Sequence, residues 1–123
     1  MGRVLGVRGA TTADENTKEA ILVATRELLE CLVEENDIQV GDVAAAYFTT
    51  TDDLDAEFPA QAARHLGWEY VALMCGREIA VPDAPTRCIR ILLLLNTDVQ
   101  PEDLTFVYLK GAKNLRDRGT EKS

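Results

Sequence analysis

The chain has 123 residues, enough for one domain and short of two. Its 13 basic and 21 acidic residues leave a net charge of −8 and a sequence pI near 4.6, which argues against general affinity for nucleic acid or an anionic membrane surface. A hydrophobic share of 46% excludes an acidic disordered protein, and at this size folding buries roughly two-thirds of the surface of the unfolded chain.

Residues 3–8 alternate loosely and end at Gly9, which predicts a short first strand. Asn16 is placed to start a helix, with Glu19 three positions on as a capping-box partner. Ile21, Leu22, Thr25, Leu28, Leu29, Leu32 and Val33 repeat at three and four, so this helix runs to Asn36-Asp37 with one apolar stripe. Val43 to Thr50 is a second strand, and Pro59 opens a short helix closed by Gly67. Tyr70 to Cys75 is a third strand, made parallel to the second by the intervening helix. Pro82 and Pro85 mark an exposed loop, Arg87 to Asn96 a fourth strand, Pro101 to Leu104 a helical turn, and Thr105 to Lys110 a fifth strand.

The expected class is therefore α+β, a mixed sheet of about five strands with one long and one short helix. Residues 1–116 form one domain, and 117–123 read as a flexible charged tail. The fourth strand carries Ile89, Ile91, Leu93 and Leu95 on one side, with Cys88, Arg90, Leu92 and Leu94 on the other. Both sides are apolar enough to demand burial. Two helices cover about one face, so a second subunit is expected on the other.

Cys31, Cys75 and Cys88 cannot all be bridged and share no metal-ligand spacing, so reduced thiols in a cytoplasmic protein are expected. Charge at Arg3 and Arg8 interrupts the N-terminus too early for a secretory leader, and no apolar run reaches membrane-spanning length. The single histidine, His65, the absence of a phosphate-cradling glycine loop and the lack of a metal constellation leave the acid–base equipment poor. No metal or cofactor is expected. The arginine supply is good, and that combination suits binding a carboxylated molecule or a reaction driven by positioning and electrostatics without proton transfer.

Arg90 carries the most information. It stands in Cys88-Ile89-Arg90-Ile91-Leu92, where an unpaired guanidinium is costly to desolvate and cannot shed its proton. Either a carboxylate such as that of Glu78 pairs with it, or it waits for an anionic ligand.

Arg8-Gly9-Ala10-Thr11-Thr12, Phe58-Pro59-Ala60 with Arg64, Cys75 with Glu78, Cys88-Ile89-Arg90, Asn96-Thr97-Asp98-Val99 and Val107-Tyr108-Leu109 form an ordered series. Together they resemble the small monofunctional chorismate mutases of the AroH type, from about residue 3 to 116. The resemblance implies a homotrimer, a pseudo α/β-barrel with sites between neighbouring subunits. It also implies a reaction without metal or cofactor, the Claisen rearrangement of chorismate to prephenate in aromatic amino-acid biosynthesis. Carried over by position, Arg90 would meet the ether oxygen and a carboxylate, and Arg8 and Tyr108 would hold a carboxylate of the folded side chain. Glu78 would accept from the ring hydroxyl and orient Arg90, and Cys75 would touch the hydroxyl region. Phe58, Arg64, Met74, Leu115 and Arg116 would complete the wall. Two positions depart from the relatives: Gln61 stands where they carry lysine, and Met74 where they carry threonine. The competing reading is a non-catalytic trimer, similar in outline to the YjgF-like proteins, that binds a small carboxylate without turning it over.

Overall fold

The computed structural model describes residues 2–115. Arg116 and the charged segment 117–123 lie outside them. Five strands, β1 (Arg3–Thr12), β2 (Val43–Thr50), β3 (Ala72–Arg77), β4 (Cys88–Thr97) and β5 (Val107–Tyr108), form one mixed sheet in the order β3-β2-β4-β1-β5. β4 runs antiparallel to both β1 and β2, whereas β3 is parallel to β2 and β5 parallel to β1. Two helices, α1 (Lys18–Asn36) and α2 (Ala60–His65), join the strands. The mixed α+β architecture expected from the sequence is present.

α1 begins one residue later than expected. Thr17, not Asn16, is the N-cap, and its hydroxyl accepts the N–H of Ala20 at 3.1 Å. Asn16 is engaged elsewhere: its amide oxygen accepts from the N–H groups of Asp55 and Ala56, and its amide nitrogen donates to the Asp55 carboxylate. Ile21, Ala24, Thr25, Leu28, Leu29 and Leu32 are the buried stripe. Asp37 ends the helix in the left-handed region at φ 54°, returning its N–H to Glu34 and Val33.

Four strands also differ from expectation. β1 continues through Thr12, because its antiparallel pairing with β4 persists to Thr12↔Cys88. β3 starts at Ala72, where pairing with Ala45 begins, while Tyr70 is solvent-exposed and Trp68 and Val71 are buried before it. β5 is only two residues long. Asn36 explains its late start: its side chain donates to the Thr105 carbonyl at 2.9 Å and accepts the Thr105 N–H at 2.6 Å, holding that residue to the end of α1. Lys110, at φ 51°, turns the chain away on the other side. β4 begins at Cys88 because Arg87 adopts φ 46°, clamped by its N–H to the Asp53 carboxylate.

Opposed residues point the same way in a sheet, so the register divides it into two faces. One carries Val7, Ala46, Phe48, Ile91, Leu93 and Leu95, which pack with Leu28, Leu29 and Leu32 of α1 and Ala62 and Ala63 of α2. Each buried Leu or Phe contributes about 1.5–3 kcal/mol, so this face supplies most of the stability. Gly9 permits close layering there, since a Cβ would sit 2.6 Å from the Val107 carbonyl and 3.0 Å from Leu28.

The other face carries Arg8, Ala10, Arg90, Leu92, Tyr47, Thr49, Met74 and Tyr108. At one end Ala112 and Leu115 pack on Ala10 and Cys88. Elsewhere it is open within the chain: Leu92 is 37%, Tyr47 40% and Met74 63% exposed. The burial expected for both sides of β4 is met on one side only.

Candidate active site

Arg90 stands on the open face of β4, flanked by Ala10 on β1 and Thr49 on β2. Both neighbours are small, so the guanidinium has room beside the strand. Arg8 lies on the same face opposite Leu92, and its guanidinium sits 5.2 Å from the centre of the Phe106 ring. Tyr108 joins them because β5 pairs Tyr108 with Ala10. Glu78 follows β3 directly, its N–H donating to the Thr50 carbonyl at 3.0 Å. Leu115 closes the end beyond Ala10 and Tyr108.

These side chains line one cavity of about 350 Å³, a size within the range of small-ligand sites. Two guanidinium groups and one carboxylate face it among the described residues, with apolar walls from Leu92, Tyr47 and Leu115. The arrangement can hold a small anion bearing a hydroxyl against hydrocarbon. A larger groove along α1, of about 860 Å³, carries Glu27, Glu30 and Glu34 against one arginine, Arg26, which is paired with Glu30, and so suits an anion less.

Arg90 meets Glu78 with Nη1 3.6 Å from Oε1, and the two side chains are 38% and 24% exposed. At that distance the pair attracts without the short bidentate hydrogen bonds that saturate an arginine fork. Pairing with a protein carboxylate and readiness for an anionic guest therefore coexist. The second oxygen of Glu78 accepts a hydrogen bond from the Thr49 hydroxyl.

Cys88, adjacent to this cavity, is a neutral thiol. Burial pushes it up to about 11, opposed by the Arg90 charge and reinforced by Glu78 and Asp53. Burial, with Glu35, Glu34 and Glu27, likewise raises Cys31. Among the described residues no group of three His, Cys, Asp or Glu gathers to hold a metal ion, and no helix is long and apolar enough to cross a membrane.

The structure thus brings Arg8, Glu78, Arg90, Tyr108 and Leu115 together and leaves four other expected residues apart. Cys75 alternates with Met74, so its side chain faces the helices, opposite Phe48. It lines a separate hollow, also about 350 Å³, with Phe58, Leu54 and Arg77. Arg64 lies on α2, where its guanidinium donates to Gln61 Oε1 at 2.5 Å. Met74 shares the open face but does not line the cavity. Arg116 falls outside the described residues. Thr49 and Tyr47 line the cavity and were not singled out from sequence. Strand alternation puts them on one side of β2, but without the register that side has no address.

The sequence pattern of the family described as "Chorismate mutase type I" matches residues 4–118. "Chorismate mutase AroH" of Thermus thermophilus is 48% identical over 114 residues, covering 92% of this chain and 93% of that protein. "Chorismate mutase AroH" of Bacillus subtilis (strain 168) is 41% identical over 114 residues, 92% of this chain and 90% of the relative. Among solved structures, a chorismate mutase from Clostridium thermocellum superposes with a TM-score of 0.87 at 46% identity, over 89% of this chain and 97% of that one. With family match, identity and fold in agreement, this chain belongs to the type I chorismate mutase family.

Proposed function

We propose that this protein is an isomerase that converts chorismate to prephenate in the cytoplasm, in aromatic amino-acid biosynthesis. The observation that carries the reading is the convergence of Arg8, Arg90, Glu78 and Tyr108 in one half-enclosed cavity of a family member. Chorismate is a dianion whose enolpyruvyl side chain must fold over its ring. Arg8 and Tyr108 hold a side-chain carboxylate and so select the folded conformer. Breaking of the ether bond runs ahead of carbon–carbon bond formation, and negative charge grows on the ether oxygen. Arg90 meets that charge with a fixed, permanently protonated fork. Glu78 orients Arg90 and accepts from the ring hydroxyl. No proton changes hands.

The rest of the wall comes from a neighbouring subunit of a homotrimer, a pseudo α/β-barrel with the open faces turned inward. Two features support this: the apolar exposure of Leu92, Tyr47 and Met74 on the open face, and the distance of Phe58, Arg64 and Cys75 from Arg90's cavity within one chain. Residues 1–116 act as one domain in this arrangement. Gln61 brings no cation to this wall and accepts a hydrogen bond from Arg64, so capture of the dianion there rests on Arg64. Native mass spectrometry should give three chains, and a monomer would remove the shared site.

The purified protein is tested by following the ultraviolet absorbance of chorismate. Saturable loss of absorbance with prephenate as product supports the assignment. A flat trace with saturable binding would instead favour the binding-only module, which the family and its relatives do not favour.

A further inference from the structure

Glu78 lies in the loop after β3, yet its carboxylate has a defined direction. Thr49 stands on β2 between Arg90 on β4 and Gly76 on β3. Its hydroxyl donates to Glu78 Oε2, while Oε1 of the same carboxylate faces Arg90 Nη1 at 3.6 Å. The next residue of β2, Thr50, accepts the Glu78 N–H at 3.0 Å. Two consecutive residues of an interior strand therefore hold Glu78 by its main chain and its side chain. The flank towards Gly76 is open, and even a Cβ there would come no nearer than 4.0 Å to Thr49 Cγ2.

A glutamate in a loop has three rotatable bonds and a strong preference for water. Arg90 alone does not fix it, because a single contact at 3.6 Å restrains direction weakly. The Thr49 hydroxyl supplies the missing restraint from the rigid sheet.

We infer that Thr49 is a positioning residue: it commits one oxygen of Glu78 to β2 so that the other is presented to Arg90 and to a hydroxyl of the bound substrate. The inference rests on reading this cavity as the site of chorismate rearrangement. Thr49 acts through Glu78 and transfers no proton.

The test compares Thr49→Val, Thr49→Ser, Glu78→Ala and the Thr49→Val/Glu78→Ala double variant. Thr49→Val keeps the shape and the β-branched strand residue but removes the donor. It should lower kcat about tenfold, the size of one lost hydrogen bond, with KM little changed. Thr49→Ser restores the donor and should stay within about twofold of wild type. In the Glu78→Ala background, Thr49→Val should cost nothing further. Side-chain NMR couplings of Glu78 in ligand-free protein add a readout that needs no turnover. One rotamer is expected in wild type and Thr49→Ser, and a mixture in Thr49→Val. Wild-type kcat in Thr49→Val, an undiminished loss in the Glu78→Ala background, or a single Glu78 rotamer without the hydroxyl would each overturn the inference. Were the wild-type protein inert towards chorismate, the proposed function would fall, and the NMR couplings would still decide whether Thr49 holds Glu78.

Discussion

The two faces of the sheet share every strand and differ in what they exclude. On the helix side, Phe48, Ile91 and Leu93 are essentially removed from water and exclude everything but hydrocarbon. On the open side the same strands carry Arg8, Arg90, Thr49 and Tyr108 around a cavity, with Leu92 and Met74 still in contact with solvent. β4 alternates between these roles residue by residue: Ile89 and Ile91 anchor it while Arg90, between them, is left at a wall. A functional cation can sit inside an apolar run because its neighbours in sequence face away from it. Arg90 keeps 38% of its side chain exposed within the chain, and a ligand that displaced this water would strengthen its effect on a charge appearing beside it.

The sharpest way to break the comparison is to swap damage between the faces. Phe48→Ala empties the centre of the helix side and should cost about 3–5 kcal/mol of stability in denaturant unfolding. A loss below about 1 kcal/mol would show that this face does not carry the fold. Next in size is a gain. The Thr11 hydroxyl is fully buried on the helix side and has no hydrogen-bond partner among the described residues. Thr11→Val should therefore stabilise the protein by about 1 kcal/mol in the same melt. An unchanged or lower midpoint would mean that the hydroxyl is satisfied.

The smallest expected effect concerns acid. Burial would raise the Asp53 carboxyl, but the Thr51 hydroxyl, the N–H groups of Arg87 and of Asp53 itself and the Arg87 charge outweigh it and hold Asp53 below its ordinary value. A carboxyl lowered by folding contributes stability that is complete above its unfolded value, about pH 4, and lost as pH falls through the lower folded value. Asp53→Asn should flatten the acid limb of the stability profile and lower the plateau near pH 7 by the contribution of the carboxylate, so that the two proteins converge at low pH. Identical acid limbs for the two proteins would show that the clamp on Arg87 carries no charge dependence.

Much of the architecture was legible in the residues. β2 was bounded correctly at Val43 and Thr50, since a turn-rich segment follows and apolar residues fill it. β3 and β5 were misplaced for tertiary reasons: partner register set the start of β3, and the Asn36 amide detained Thr105. Arg90 was conspicuous from its neighbours alone, and Arg8, Glu78 and Tyr108 came with the family resemblance. Thr49 was invisible, because its importance lies in the register that puts it beside both Arg90 and Gly76. The side on which Cys75 points was unreadable for the same reason, since alternation fixes relative but not absolute direction.

Arg90→Ala, assayed for chorismate turnover and for denaturant stability on the same preparation, tests the division most directly. Removal of a donor aimed at a developing oxyanion should lower kcat by about 10²–10³, while the unfolding midpoint stays near that of wild type because the helix-side core is untouched. Turnover close to wild type in the Arg90→Ala protein would contradict the account.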